Sequence, residues 1–496
     1  MFDIKWPVEP IRCLGIYIGH DKAENIILNW TKKIEKIKSL IETWKKRDLT
    51  VFGKITVIKQ LAIPKILFSA SVLQIPDGVI AELNSIFYDF IWNRCEKVKR
   101  SILINSYQNG GIKMLDVESM FESIKAAWVI RIINADKDEK WCIVAKHVLE
   151  YDYKEGIMLK MSFTKKNSVY ILNNLPGFYK EVILAFNKAK CISSEVFCET
   201  ILEQSLWGNP HVTKRTKKGK MTLLYKNWVD SDIVKIKNLR FIDGKVDTDF
   251  IMTKVQDRRN IFSEISVICE ALKPYRELLG SCEPSLDTSL PFFWRQANPI
   301  SEFVSAKSKI FYNALISLKS DRPIMENHWI ASLQNPFIDF KRMYLRKICF
   351  LNDKKLAEFN FKVIHGILPC NSNLVRWRKT ESNKCILCDV EETIEHLLLH
   401  CAFARAVWND FNNITGITVT LEEIITGGIV CETYNFVISL IAYLIYKSWL
   451  LESLKDKQRP NVVSLDCFKP DLIYRASIYK ELGWNQVAFV LNMLVT

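Results

Sequence analysis

Apolar residues recur at helical spacing from Ile26 onward, through Trp30, Ile34, Ile37, Ile41 and Trp44. That period lays them along one stripe of a helix, with Lys32, Lys33, Lys36, Lys38, Lys45, Lys46 and Arg47 falling outside it. Asp21-Lys22-Ala23-Glu24 ahead of the stripe reads as its capping motif. A second helix starts at Leu49-Thr50, carries Val51, Ile55, Ile58 and Leu61, and stops before Pro64. Helices are also predicted over 66–73, 79–92 and 119–133, with a turn at Gly110-Gly111. Upstream, Ile11 to Gly19 alternates and is punctuated by glycine, which predicts a strand. A strand with no partner nearby hints that a preceding segment is missing. Residues 133–375 follow a mixed pattern with no internal repeat, and their role is open. Phe436 to Tyr446 is an apolar run too short to span a bilayer and broken by Lys447, so it reads as a buried helix. The expected fold is mainly α: a strand remnant in 1–20, a helical domain over 21–132, a mixed α linker region over 133–375 and a small helical C-terminal domain over 376–496.

That last domain holds the densest candidate chemistry. Cys385 and Cys388 form a Cys-x-x-Cys knuckle, followed by His396 and Cys401. A tight turn aims the first two thiolates at one point, and two further soft ligands complete a tetrahedral Zn²⁺ site. The segment Thr393 to Trp408 is predicted as one helix with Thr393 as its N-cap, carrying Leu397, Cys401, Ala404 and Trp408 on one apolar face. His400 stands four residues after His396, an equally good helical spacing, so a Cys-Cys-His-His set competes with Cys-Cys-His-Cys. Four protein ligands leave no position for water, so the metal would be structural. The plain alternative is four unrelated core residues in a cysteine-rich chain. A redox Cys-x-x-Cys needs a βαβ context, which is not visible here.

Composition narrows the setting. The chain has 496 residues, 49% of them hydrophobic, enough for a large core and for several domains. Lys+Arg 69 against Asp+Glu 55 gives a net charge of +14, which favours a polyanionic partner, either nucleic acid or an anionic membrane surface. Most of the 14 cysteines stand alone, which fits a reducing cytoplasmic or nuclear compartment and no disulfide framework. No signal sequence opens the chain, because Lys5, Glu9 and Arg12 interrupt it. Two groups of cations are candidates for phosphate contact: Lys45, Lys46, Arg47, Lys54 and Lys59 around one helix–helix corner, and the run Lys214, Arg215, Lys217, Lys218 and Lys220. The simpler reading is a solvated face for the first and an exposed loop for the second.

Taken in order, several short segments resemble the C-terminal part of LINE-type non-LTR retrotransposon reverse transcriptases. Leu14-Gly15-Ile16 is similar to the strand that ends the polymerase palm, with Cys13 in place of the usual aromatic residue. Trp44, Arg47, Leu49-Thr50, Gly53-Lys54 and Val57 follow the family's tryptophan-to-valine signature. Pro64-Lys65, Phe90-Ile91-Trp92 and Gly110-Gly111-Ile112 come next, then Leu206-Trp207-Gly208-Asn209-Pro210. His365-Gly366-Ile367-Leu368-Pro369, Trp377 and the Cys385/Cys388/His396/Cys401 knuckle resemble the zinc-binding segment. The resemblance implies a thumb-like domain over 21–132 that touches RNA, DNA or RNA/DNA hybrid through its phosphates, and a zinc knuckle that helps position a template. It does not imply an oligomeric state, and a membrane partner becomes the weaker reading. One departure is large: polymerisation needs paired palm carboxylates for two metals, and the chain contains no Asp-Asp pair. Isolated acids such as Asp116, Asp136 and Asp232 read as helix caps or surface charge. The chain therefore reads as a truncated element that binds template-primer without polymerase or endonuclease activity, with no catalytic residues. The alternative is a host protein-interaction scaffold with a purely structural zinc site.

Overall fold

The computed structural model describes residues 9–93, 95–135, 139–150, 172, 175–189, 201–209, 211–217, 219–256, 259–281, 307–349, 353–428, 431–454 and 464–495. Helices dominate, and the strands are short hairpins. The chain divides into two compact units, neither continuous in sequence. The first takes Met1–Ile37, Ile63–Asn84 and Asp116–Lys319; the second takes Lys38–Ala62, Ser85–Leu115 and Ser320–Thr496. Residues of the expected 21–132 domain thus contribute to both.

In the first unit the predicted strand finds its partner in itself. Ile11–Cys13 pairs antiparallel with Ile16–Ile18, joined by Leu14 and Gly15. Both central residues have positive φ, 49° and 81°, the backbone of a two-residue turn whose twist matches the strands. Asp21 caps the following helix, accepting from the Ala23 amide at 2.8 Å. That helix runs Lys22–Ile26, widens to a π-type turn over Ile27–Thr31, and continues as Lys32–Lys45, of which the residues from Lys38 on belong to the second unit. The wide turn carries the buried Asn29, whose side chain exchanges two hydrogen bonds with the Tyr17 backbone (2.8 and 2.7 Å). Trp207 and Trp228 stand edge to face, 6.0 Å apart, in the core, and the Trp207 indole donates to the Ile233 carbonyl at 2.7 Å. So Leu206-Trp207-Gly208-Asn209 serves packing here; Pro210 lies outside the described residues. Asp116 caps Val117–Asn134 and pairs with Lys319, as its helix-cap reading expects; Asp136 lies outside the described residues.

In the second unit Thr50 caps Val51–Val57, its hydroxyl accepting from the Gly53 amide, and a second wide turn over Ile58–Ala62 follows. Phe52 meets Phe361 of Lys354–Ile364 edge to face at 6.4 Å. Asp353 caps that helix, accepting from the Lys355 and Leu356 amides, and binds Arg475 at 2.7 Å. The apolar run Phe436 to Tyr446 is buried inside Glu432–Leu454, as expected. His365 donates from Nε2 to the Gly110 carbonyl at 2.7 Å and lies between Tyr344 and Phe361. Two segments that carried the family resemblance therefore meet. Burial holds the His365 imidazole down to about 4, so the ring is neutral.

Candidate metal centre

The knuckle is a small antiparallel turn. Lys384 bridges to Glu391, the Cys385 amide donates to the Val390 carbonyl at 2.8 Å, and the Asp389 amide returns to the Cys385 carbonyl at 2.9 Å. The turn closes through Asp389 at φ 53°, a conformation that Asp and Asn tolerate better than most residues. Amides of Leu387 and Cys388 point at the Cys385 sulfur.

Beyond the knuckle, the single predicted helix is two pieces. Thr393 does cap it, accepting from the His396 amide at 3.2 Å. The backbone then makes a wide turn over His396–His400, Cys401 takes an extended ψ of 142°, and a new helix runs Ala402–Thr415. The Cys401 amide donates to the His396 carbonyl at 2.7 Å, closing a five-residue loop. In an ideal α-helix, residues five apart point about 140° from each other. The widening and the break bring His396 and Cys401 to one side instead. The same break turns His400 out to solvent, where it lines a shallow pocket with Arg405 and Trp408. Spacing alone made His400 competitive; geometry selects Cys401.

The four ligand atoms of Cys385, Cys388, His396 and Cys401 lie within 4.8 Å of one another. Cys401 Sγ is 3.8 Å from Cys385 Sγ and 3.9 Å from Cys388 Sγ. Two thiolates at about 2.3 Å from a tetrahedral zinc are about 3.8 Å apart, so the sulfur spacing fits that ion. His396 Nε2 is buried with no hydrogen-bond partner, and its pKa is lowered by burial, then by His400 and Arg405, leaving the neutral imidazole that a metal requires. Burial and the neighbouring sulfurs push the Cys401 thiol up to about 12 and raise Cys385 as well. Thiolates this close repel one another, and a cation among them removes that repulsion, the condition zinc satisfies. Amides are already aimed at the resulting negative charge: Ala402 N–H donates to Cys388 Sγ at 3.3 Å and Phe403 N–H points at Cys401, both from the start of a helix. These residues would hold zinc as a cross-link between the knuckle and the Ala402–Thr415 helix.

Sequence reasoning missed Glu392. It is buried, takes the Asn371 amide at 2.8 Å and the Trp449 indole at 3.1 Å, and faces Cys385. It ties the knuckle to two helices. No spacing rule marks such a residue, because its partners lie up to 57 positions away.

The cation candidates divide. Lys45, Lys46 and Arg47 are exposed; Lys45 pairs with Glu42 and with Asp89 (3.0 Å), and Arg47 lies 4.8 Å over the Trp44 ring. Lys54 and Lys59 are half-buried rather than exposed, because their ammonium groups turn to backbone carbonyls of Ile91 and Lys113. The second group is no irregular loop: Thr213–Thr216 pairs with Gly219–Thr222, Arg215 opposite Lys220 and Lys214 opposite Met221. Arg215 and Lys220 are exposed at the turn end of the hairpin, Lys217 is exposed in the turn, Lys214 is half-buried, and Lys218 lies outside the described residues.

Residues 325–408 match the family described as zinc-binding in reverse transcriptase. Its bounds enclose all four ligands, His365 and Trp377. Over 446 residues, 81% of the chain, the sequence is 20% identical to the transposon TX1 uncharacterized 149 kDa protein of Xenopus laevis. The resemblance to the C-terminal part of a LINE-type reverse transcriptase is borne out. The chain spans a third of the length of that transposon relative, 33% of it. Its zinc-binding segment thus carries the reverse-transcriptase signature, and no single helix among the described residues is long and apolar enough to cross a membrane.

Proposed function

We propose that the chain binds nucleic acid as the C-terminal part of a LINE-type reverse transcriptase, with a structural zinc fixing its terminal domain. The observation that carries this reading is the pairing of a reverse-transcriptase zinc-binding match with a closed Cys385/Cys388/His396/Cys401 cluster. The +14 charge and the outward cations Lys46, Arg47, Arg215, Lys217 and Lys220 supply attraction to a phosphate backbone without reading sequence. Lys45, Lys54, Lys59 and Lys214 add charge from partly engaged positions. The compartment that fits the reduced cysteines and the partner is the cytoplasm or nucleus.

A protein-interaction scaffold is the second reading, favoured by one feature: Ile386, Leu387 and Val390 expose apolar surface at the tip of the knuckle (68%, 39% and 50%). Equilibrium titration of the zinc-loaded chain with an RNA/DNA hybrid across a salt series separates the two. Affinity that falls steeply with salt supports the first reading. No affinity for hybrid or single strands in moderate salt leaves the scaffold.

A further inference from the structure

Four lysines from three distant stretches of the second unit share one electrostatic neighbourhood. Lys54 projects from Val51–Val57, Lys97 from the loop after Trp92, Lys362 from Lys354–Ile364, and Lys379 from the turn after Asn371–Arg376. Lys362 acts on both Lys54 and Lys97, and Lys379 acts on Lys97. Opposing charge comes from Glu358 at both sites, from Asp48 at Lys54 and from Cys95 at Lys97. Lys45 at the edge is already paired with Glu42 and Asp89.

Ordinary surface lysines swing apart and stay hydrated. These are fixed. Lys54 donates to the Ile91 carbonyl at 3.2 Å and lies 5.6 Å from the Phe90 ring. Lys97 sits 4.1 Å over the Trp377 ring. Lys362 holds Glu358 at 3.2 Å, and Glu358 also accepts from the Val51 amide at 3.3 Å. The turn presenting Trp377 and Lys379 is closed by the Lys379 amide on the Leu374 carbonyl at 2.9 Å, with Arg378 at φ 59°. Half-burial lowers the affinity of Lys54 and Lys97 for their protons; Lys362 lowers it further at Lys97, while at Lys54 Glu358 offsets part of the loss. Like charges held this close cost the folded state energy that a polyanion would relieve. Held side chains also lose less freedom on binding.

We infer that Lys54, Lys97, Lys362 and Lys379 form a preorganised site for the phosphodiester backbone of a nucleic-acid duplex, with Glu358 as a built-in competitor that occupies it in the free protein. The inference rests on the nucleic-acid reading above and assigns it a surface, of which the sequence had named Lys54 alone. A phosphate displaces the Glu358 carboxylate from Lys362, and the lysines around it take up the backbone.

The test uses the zinc-loaded full chain and a labelled RNA/DNA hybrid, titrated across a salt series. K97Q/K362Q is expected to weaken binding and to reduce the slope of log affinity against log salt by about 1.8, two phosphate contacts at about 0.9 each. K97R/K362R should restore most of the slope, since charge rather than shape is required. E358Q keeps an acceptor for the Val51 amide and removes the competing charge, so it should bind several-fold tighter. Zinc content and the thermal midpoint establish that each variant folds. If the wild type binds and folded K97Q/K362Q matches it in affinity and slope, the site is wrong while the nucleic-acid reading stands. If that variant does not fold, E358Q decides, and unchanged affinity overturns the site. If the wild type binds neither hybrid nor single strand, the reading itself falls.

Discussion

A cysteine at position 401 and a histidine at 400 differ by one step along the chain, and that step decides which of them joins the candidate metal cluster. Sequence spacing admitted both, because an ideal helix favours residues four apart. The structure turns Cys401 inward by ending one helical piece and starting the next at that residue. Cys401→Ser is therefore expected to lower zinc stoichiometry or affinity sharply and to loosen the knuckle, since second-rate ligation costs roughly 10–100-fold even for outer partners. His400→Ala should keep one zinc per chain. A chelator-competition assay on both variants checks this; zinc loss in His400→Ala with retention in Cys401→Ser would reverse the assignment. Cys385, Cys388 and His396 were legible because their residue types are scarce and their spacing is that of known ligand sets. Glu392 was not, because a buried glutamate declares itself only through partners distant in sequence.

Among elements, the caps were readable and the wide turns were not. Asp21, Thr50, Asp116 and Thr393 all accept from an amide of the first turn, a local contact that residue type predicts. The widened turns at Ile27–Thr31, Ile58–Ala62 and His396–His400 have no such signature, so helical periodicity reads straight through them. The Ile11–Ile18 hairpin was missed because Leu14 does not advertise a positive φ. One junction between elements makes a pH prediction. His365, at the end of Lys354–Ile364, is neutral and donates to the turn at Gly110. Its folded pKa of about 4 lies below the ordinary 6.5. A depressed value means full stability above pH 6.5, lost as pH falls toward 4 while the unfolded chain gains the proton first. The whole loss is of order 3 kcal/mol, from about 1.36 kcal/mol per pH unit. Denaturant unfolding at pH 7 and pH 5 should show a falling midpoint in the parent chain. His365→Gln should flatten that fall, and an undiminished fall would remove His365 as its source.

For the molecule as a whole, the chain by itself is not expected to extend a primer. Two-metal phosphoryl transfer needs carboxylates that bring both ions to the reacting oxygens. The sequence has no Asp-Asp pair, and Asp116 is committed to a helix cap and to Lys319. Incorporation of labelled nucleotide on a primed RNA template, with Mg²⁺ or Mn²⁺, should stay at background; template-dependent extension would require a carboxylate site elsewhere in the chain. Helical class and a zinc-binding segment near the C-terminus were legible at this scale. The division into two interleaved units was not, because it depends on pairs such as Val51 with Glu358, 307 positions apart. That interleaving reaches into synthesis. Gly110 leaves the ribosome 255 residues before the His365 that will bind its carbonyl. At about 5–20 residues per second the gap is roughly 10–50 s. Through that interval the Gly110 turn and the apolar face of Val51–Val57 wait without their final cover, which makes a nascent chain of this kind a natural client for chaperones.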